Sequence, residues 1–88
     1  MDGMEDPLVN TLYQFIVEKL RKFETIRRSE LVEFYKKGIE QNPGKENRTS
    51  REVIREAHGK LLREHGYKAQ QFSDTIIYID TNNANKKT

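Results

Sequence analysis

The chain of 88 residues contains no cysteine and no apolar run as long as a membrane-spanning helix. Without cysteine, neither a disulfide framework nor a thiolate metal site can form. The apolar runs are also too short for the core of a signal peptide. We therefore expect a soluble intracellular protein, in the cytoplasm or the nucleus, with no membrane association.

Hydrophobic residues are also scarce, at 34% of the sequence, so the chain can build a single modest core and one small domain. The net charge of +2 is far from that of a nucleic-acid coat or a basic tail. The distribution of charge is more informative than its sum. Residues 7–79 carry 14 basic and 10 acidic side chains, which gives this part of the chain a charge of +4.

Known catalytic patterns are absent as well. The sequence has no glycine-rich phosphate loop and no GxGxxG, GxSxG or HExxH motif. His58 and His65 would lie about 10 Å apart along one predicted helix, which is too far for a shared metal without a third element. The carboxylates mostly neighbour a lysine or an arginine, so no acid–base pair is indicated. We expect no enzyme activity, no cofactor, no metal site and no small-molecule ligand.

What the sequence does contain is helical periodicity near its start. We expect residues 1–6 to form a flexible arm, with Asp6 capping a first helix that has Pro7 at its first position. Apolar residues then recur at helical spacing: Leu8, Leu12, Phe15, Ile16, Leu20 and Phe23. Tyr13 and Val17 widen this stripe, which indicates either deeper burial or a surface for a partner chain.

The middle of the chain predicts a strand, a helix and a loop. Residues 25–27 favour a short strand, and Ser29 is the expected N-cap of a second helix over residues 30–41. The apolar face of this helix consists of Leu31, Phe34, Tyr35 and Ile39. Gly38 allows close approach of another element, although it weakens the helix by about 1 kcal/mol relative to alanine. Residues 42–47 are rich in turn formers and are expected to be mobile on the nanosecond timescale.

A third helix is predicted after this loop. Thr49 and Glu52 have the spacing of a capping box, so the helix should begin near Ser50. Gly66 lies where a left-handed cap is needed, so the helix should end near His65. Its apolar face consists of Val53, Ile54, Ala57 and Leu61.

A two-stranded hairpin is predicted next, because two strand-like runs, Tyr67–Phe72 and residues 75–79, are separated by only two residues. Phe72 adjoins the turn and is expected to be exposed. Residues 81–88 contain no large apolar side chain and are expected to form a disordered tail.

The outer face of the third helix is mostly basic, because Arg51, Arg55, Gly59 and Arg63 fall opposite the apolar face. Residues 48–68 contain six basic side chains, Arg48, Arg51, Arg55, Lys60, Arg63 and Lys68, against three acidic ones, Glu52, Glu56 and Glu64. This excess suits a polyanion. The alternative is a solvated helix whose charges form ordinary pairs four residues apart.

The order of helix, strand, helix, helix and hairpin resembles the winged helix-turn-helix superfamily over residues 7–80. The resemblance is carried by the strand at residues 25–27, the helix from Ser29, the capped helix over residues 49–66 and the hairpin. It implies an α+β winged-helix fold with three helices, one short strand and a C-terminal two-stranded wing. The connection across residues 41–48 is longer than the three- or four-residue turn of a simple helix-turn-helix.

In that superfamily the third helix enters the major groove of DNA, and the wing touches the backbone or the minor groove. The resemblance therefore implies base contacts for Arg51 and Arg55, since a guanidinium can bind guanine through two hydrogen bonds. It also implies phosphate contacts for Arg48, Thr49, Ser50, Lys60 and Arg63, and wing contacts for Lys68, Gln70 and Gln71.

We expect the protein to bind double-stranded DNA, as a small transcriptional regulator or as a replication or segregation accessory. A homodimer through the first helix would pair two half-sites, with Leu12, Tyr13, Ile16, Val17 and Leu20 as its contact residues. The alternative is a winged-helix protein–protein interaction module without DNA binding, because winged helices commonly bind other chains and the net charge is modest.

Overall fold

The computed structural model describes residues 6–41 and 48–81. Its elements are, in chain order, α1 (Pro7–Arg21), β1 (Ile26–Arg27), α2 (Arg28–Gln41), α3 (Ser50–His65), β2 (Tyr67–Phe72) and β3 (Thr75–Asp80). The predicted α+β class, with three helices and a small antiparallel sheet, is confirmed. The predicted mobile loop and most of the predicted arm and tail lie outside the described residues.

The three strands form one antiparallel sheet in the order β1-β3-β2. Ile26 of β1 lies opposite Ile76 of β3, and Phe72 of β2 lies opposite Thr75 of β3. Because directly opposed side chains share a face, Ile26 and Ile76 enter the core together, and they are only 1% and 5% exposed. The predicted short strand therefore exists, and it pairs with the last strand of the chain.

A single hydrophobic core lies between the helices and the inner face of the sheet. Its buried residues are Leu8, Val9, Leu12, Tyr13, Ile16, Ile26, Leu31, Val53, Ile54, Ala57, Leu61 and Ile76. The apolar face predicted for α3 is confirmed in full by this burial. Each large aliphatic side chain removed from water contributes about 1.5–3 kcal/mol to stability. No helix within the described residues is long and apolar enough to cross a membrane.

α1 ends earlier than its apolar periodicity predicts. The helix ends at Arg21, and Phe23 is 96% exposed in a left-handed conformation with φ of 58°. The Phe23 amide donates to Leu20 O at 3.1 Å, and the Glu24 amide donates to Lys19 O at 3.0 Å. This Schellman arrangement satisfies the last carbonyl groups of the helix and turns the chain toward β1. The prediction that Phe23 continues the core stripe is therefore wrong. The apolar spacing in the sequence continues to Phe23, but the helix ends before it, at Arg21.

α2 begins without the cap that the sequence predicts. The helix starts at Arg28, directly after β1, so Ser29 lies inside its first turn. The Ser29 amide and hydroxyl both donate to the Asp74 carboxylate, at 3.1 and 2.7 Å, and the Arg28 amide donates to Asp74 O at 2.7 Å. The turn between β2 and β3 thus caps α2 from 45 positions along the chain. The prediction of Ser29 as N-cap is wrong, because a tertiary partner supplies the acceptor.

Replacing Asp74 by alanine should lower the stability of the domain by about 1–2 kcal/mol, since it removes both the cap and a carboxylate at a helix N-terminus. For a domain of this size, we expect the melting temperature to fall by roughly 4–8 °C per kcal/mol. Thermal unfolding followed by circular dichroism measures the change. Asp74→Asn keeps one acceptor oxygen and should lose less, whereas equal stability of Asp74→Ala and the parent chain would contradict the role of the cap.

Gly38 occupies a close contact between α2 and α1. A Cβ atom at this position would lie 2.7 Å from Leu8 Cδ2, which is closer than van der Waals contact permits. The close approach predicted for Gly38 is confirmed. The lack of a side chain there is explained by packing within the chain.

The chain remains anchored for one residue beyond β3. Thr81 donates to Gly66 O through its amide at 2.8 Å and through its hydroxyl at 2.6 Å. Gly66 is the left-handed C-cap of α3, with φ of 74°, as the sequence predicts. The tail prediction is wrong for Thr81, because the carbonyl at the helix cap provides an acceptor for it. Residues 82–88 lie outside the described residues.

Candidate functional site

A cleft of about 390 Å³ separates α3 from β2, and we call it the basic cleft. Four basic residues line it, Arg28, Arg51, Arg55 and Lys68, together with His58, Gln71 and an apolar floor that includes Ile54 and Ile76. No acidic residue of the described chain lines it. The side chains come from the start of α2, the exposed face of α3 and the edge strand of the sheet, so the cleft exists only in the folded chain.

The start of α3 sets which of its side chains face this cleft. Thr49 Oγ1 accepts from the Glu52 amide, and Glu52 Oε1 accepts from the Thr49 amide, both at 3.2 Å. This capping box, predicted from the sequence, is confirmed. With the helix start fixed, Arg51 and Arg55 follow each other by one turn on the side away from the buried Ala57.

Arg48 is held by carboxylates at the base of α3. Its guanidinium lies 2.7 Å from Asp6 at the start of α1 and 3.9 Å from Glu52, and it also forms an ion pair with Glu56. The Tyr35 hydroxyl donates to Arg48 O. Arg48 therefore connects α1, α2 and α3. A phosphate contact by Arg48 stays a prediction, and it would have to replace these carboxylates.

The position of Arg48 has a consequence for the charge of the basic cleft. Because Glu52 and Glu56 pair with Arg48, they do not pair with the arginines that follow them on α3. Within residues 6–41 and 48–81, the four basic residues that line the cleft make no ion pair. The alternative prediction is that the charges of this helix form ion pairs four residues apart. It holds for Arg48 and Glu52, but Arg51 and Arg55 form no such pair among the described residues. No carboxylate of the described residues therefore lies within ion-pair distance of the four cations that line the cleft.

His58 lines the cleft and contacts Tyr78 of β3. His58 Nε2 lies 2.8 Å from Tyr78 Oη, and the two rings meet edge to face with centroids 5.3 Å apart. Burial, with a smaller contribution from the charge of Arg28, lowers the pKa of His58 from 6.5 to about 4. Burial also raises the pKa of Tyr78. Both side chains are therefore neutral at pH 7, and they join the hairpin to α3 without adding charge.

A second cleft, of about 440 Å³, lies on the opposite flank of α3, where the helix faces α1. Lys60 and Arg63 line this second cleft, and Arg55 lines both clefts. The Lys60 ammonium lies 5.0 Å from the centroid of the Tyr13 ring, which is a cation–π distance. Lys60 and Arg63, predicted as phosphate contacts, therefore line the second cleft and not the basic cleft.

The predicted site residues fall into separate groups. The lining of the basic cleft contains Arg51, Arg55, Lys68 and Gln71, whereas Thr49 and Ser50 lie at the start of α3. Lys68 lines the cleft from the edge strand, but it shares the outer face of the sheet with Gln70, since these two residues lie opposite Ile79 and Ile77. Gln71 also donates to Ser73 O at 2.8 Å. Sequence reasoning missed Arg28 and His58. Neither had a local signal, since each reaches the cleft through tertiary packing.

The sheet also has an exposed apolar face. Ile77 and Ile79 of β3 are 47% and 39% exposed, and Phe72 of β2 is 56% exposed. Phe72 is thus exposed, as predicted. Ile77 lies opposite Gln70 and Ile79 opposite Lys68, so they share the face that points away from the helices. We call Gln70, Phe72, Ile77 and Ile79 the outer sheet patch.

The stripe predicted as a dimer surface lies largely inside the chain. Leu12, Tyr13 and Ile16 are 1%, 8% and 0% exposed, so a second copy could not contact them in the folded domain. The prediction that these three residues form contacts between two copies of the chain is therefore wrong. Val17 and Leu20 are half-buried and line a shallow cleft of about 190 Å³. Dimerisation stays a prediction, and on α1 it rests on these two residues.

Comparison of the chain with protein-family models, with curated proteins and with solved structures finds no match. Function is therefore inferred from the chemistry of the clefts beside α3 and of the outer sheet patch.

Proposed function

We propose that the protein binds double-stranded DNA through α3 and the hairpin of β2 and β3, in the manner of a winged helix-turn-helix module. The observation that carries this proposal is the basic cleft, whose four cations have no carboxylate partner among the described residues. Duplex DNA presents one negative charge per about 1.7 Å of its axis, so several phosphates can lie close to a cluster of four cations at once. The order of elements and the sheet order β1-β3-β2 are compatible with this arrangement.

Each cation has a role in this proposal that follows from its position. Arg51 and Arg55 are separated by about 6 Å along the exposed side of α3, so their guanidinium groups can reach successive base edges in a major groove. Arg28 and Lys68 lie at the borders of the cleft, on α2 and β2, and would contact phosphates. Phosphate contacts hold the protein on any sequence, whereas base contacts discriminate between sequences.

The biological role that we propose is that of a transcriptional regulator or a replication or segregation accessory. A monomer with four to six phosphate contacts binds weakly at physiological salt. A homodimer that places two α3 helices in half-sites about one helical turn apart would gain both affinity and specificity.

Binding of a mixed-sequence duplex of about 20 base pairs tests the proposal. We expect fluorescence anisotropy to give a slope of log K against log salt of roughly −4 to −5, because four to six phosphates are neutralised. Chemical shifts of the labelled protein should change on α3 and β2 when the duplex is added at low salt. Shifts that cluster on α1, or no shifts at all at low salt, would contradict DNA binding by α3.

A protein–protein interaction module is the second candidate, and the outer sheet patch favours it. Apolar side chains on the central strand of a sheet are normally covered, yet Ile77 and Ile79 face solvent. Lys68 on β2 and Arg27 on β1 lie at the borders of this face, so the patch fits a partner segment with apolar side chains flanked by carboxylates. Failure of DNA to bind at low salt would leave this candidate in its place.

A further inference from the structure

The middle of α3 contains a glycine, Gly59, that packing among the described residues does not require. A Cβ atom at Gly59 would meet only Arg63 Nη1, at 3.5 Å, which is ordinary van der Waals contact with the flexible end of a side chain. Gly38 is different, because a Cβ atom there would lie 2.7 Å from Leu8 Cδ2. Glycine is an unfavourable residue in the middle of a helix, since it loses the most conformational freedom on folding. Packing among residues 6–41 and 48–81 therefore explains Gly38 but not Gly59.

Gly59 lies where the two clefts beside α3 meet. It lines both the basic cleft on the β2 side and the second cleft on the α1 side, and Arg55 is the other residue of the described chain that the two clefts share. The missing side chain leaves a low point on the exposed surface of α3. We call Arg55 and Gly59 the saddle of α3.

Cations flank the saddle on both sides. Arg28 and Lys68 border the basic cleft. Lys60 and Arg63 line the second cleft, together with the carboxylates of Asp6 and Glu56, which pair with Arg48. An α-helix is about 10–12 Å wide, and the major groove of B-DNA is about 12 Å wide with a phosphate strand along each side. A helix that lies in this groove has its outermost point against the base edges and its flanks toward the two phosphate strands. In such a position the saddle would face the base edges, and the cations on its two sides would face the two phosphate strands.

We propose that Gly59 is the point at which the backbone of α3 approaches the floor of the DNA major groove, with the flanking cations divided between the two phosphate strands. This inference rests on the proposed DNA binding and adds the depth and position of the contact. The middle of the helix, at the saddle, lies against the bases. A side chain at position 59 would hold the helix away from the groove and would lengthen the contacts made by Arg55.

Gly59→Ala separates this role from folding, because its effects on stability and on binding have opposite signs. Alanine favours the helix and would meet only Arg63 Nη1 among the described residues, at van der Waals distance, so the melting temperature should rise by roughly 4 °C. The affinity for a duplex of about 20 base pairs should nevertheless fall about 5- to 10-fold, because the helix can no longer approach as closely. Gly59→Gln, with a longer side chain, should lower the affinity about 100-fold while the domain remains folded.

Thr11→Ala is the matched control, because it also raises helix propensity, at an exposed position on α1 that lines neither cleft. It should bind DNA as tightly as the parent chain. If Gly59→Ala and Gly59→Gln bind DNA as tightly as the parent while Arg55→Ala binds less tightly, DNA binding by α3 stands and the close approach at Gly59 is overturned. If the parent chain binds no duplex at low salt, both proposals fail.

Discussion

Replacing Arg55 by alanine will weaken binding to a preferred duplex by about 1–3 kcal/mol and will relax the preference at one base pair. Arg55 makes no ion pair within the described residues, so its guanidinium is available to a base edge without first leaving a carboxylate. It also lines both clefts beside α3, where a contact in the groove would be central. Anisotropy competition with duplexes that differ by single base pairs measures both the loss and the change in preference.

Lys68→Ala provides the contrast, because a phosphate contact carries no sequence information. It should weaken all duplexes alike and make the slope of log K against log salt less steep by about 1. Lys36→Ala removes the same charge from an exposed position on α2 that lines neither cleft beside α3, and it should have little effect. Equal losses for Lys36→Ala and Lys68→Ala would mean that total charge, and not the basic cleft, determines binding.

Acidification will destabilise the domain by about 3 kcal/mol between pH 6.5 and pH 4, because His58 is buried in its neutral form. Above pH 6.5 the imidazole is neutral in both states, so the full stability is present. As the pH falls, the unfolded chain binds a proton near 6.5, whereas the folded chain does so only near 4. Below that value both states are protonated and the loss levels off. The expected loss is a large part of the roughly 5–15 kcal/mol that stabilises a typical domain.

Urea unfolding at a series of pH values measures this effect. Glu30 adds little above pH 4.5, since the hydrogen bond from Lys19 lowers the pKa of Glu30 below its usual 4.5 and its stabilising effect is lost only beneath that value. The effect of His58 is therefore sought between pH 4.5 and 6.5, above the range in which the effect of Glu30 is lost. His58→Gln can still bond the Tyr78 hydroxyl but does not titrate, so the loss in this range should largely disappear.

His65→Gln is the matched control for this experiment. His65 also contacts a tyrosine hydroxyl, with its Nε2 atom 2.8 Å from Tyr13 Oη, but it is exposed at the end of α3. A pH-dependent loss that persists in His65→Gln and disappears in His58→Gln belongs to the buried histidine and not to histidine–tyrosine contacts in general. A loss of stability in His58→Gln as steep as that of the parent would refute the assignment to His58.

Several features of the fold were determined by residues a few positions apart. The Thr49 and Glu52 capping box fixes the start of α3, and the left-handed Gly66 fixes its end. Such interactions depend on local backbone geometry, which the order of residue types reveals. The same regularity places Arg51 and Arg55 on one side of α3. The sequence could therefore predict the helices, the hairpin and the core of the candidate site.

Only the tertiary structure decided which distant groups complete these elements. Asp74 caps α2 from 45 positions away, and Asp6 holds Arg48 across 42 positions. Arg28 reaches the basic cleft because β1 pairs with β3 and brings the start of α2 beside α3. Periodicity cannot reveal these partners, since a polar side chain finds its partner only after the elements have packed. For the same reason the sequence showed that α3 is basic, but packing determined that Glu52 and Glu56 pair with Arg48, and that Arg51 and Arg55 form no ion pair among the described residues.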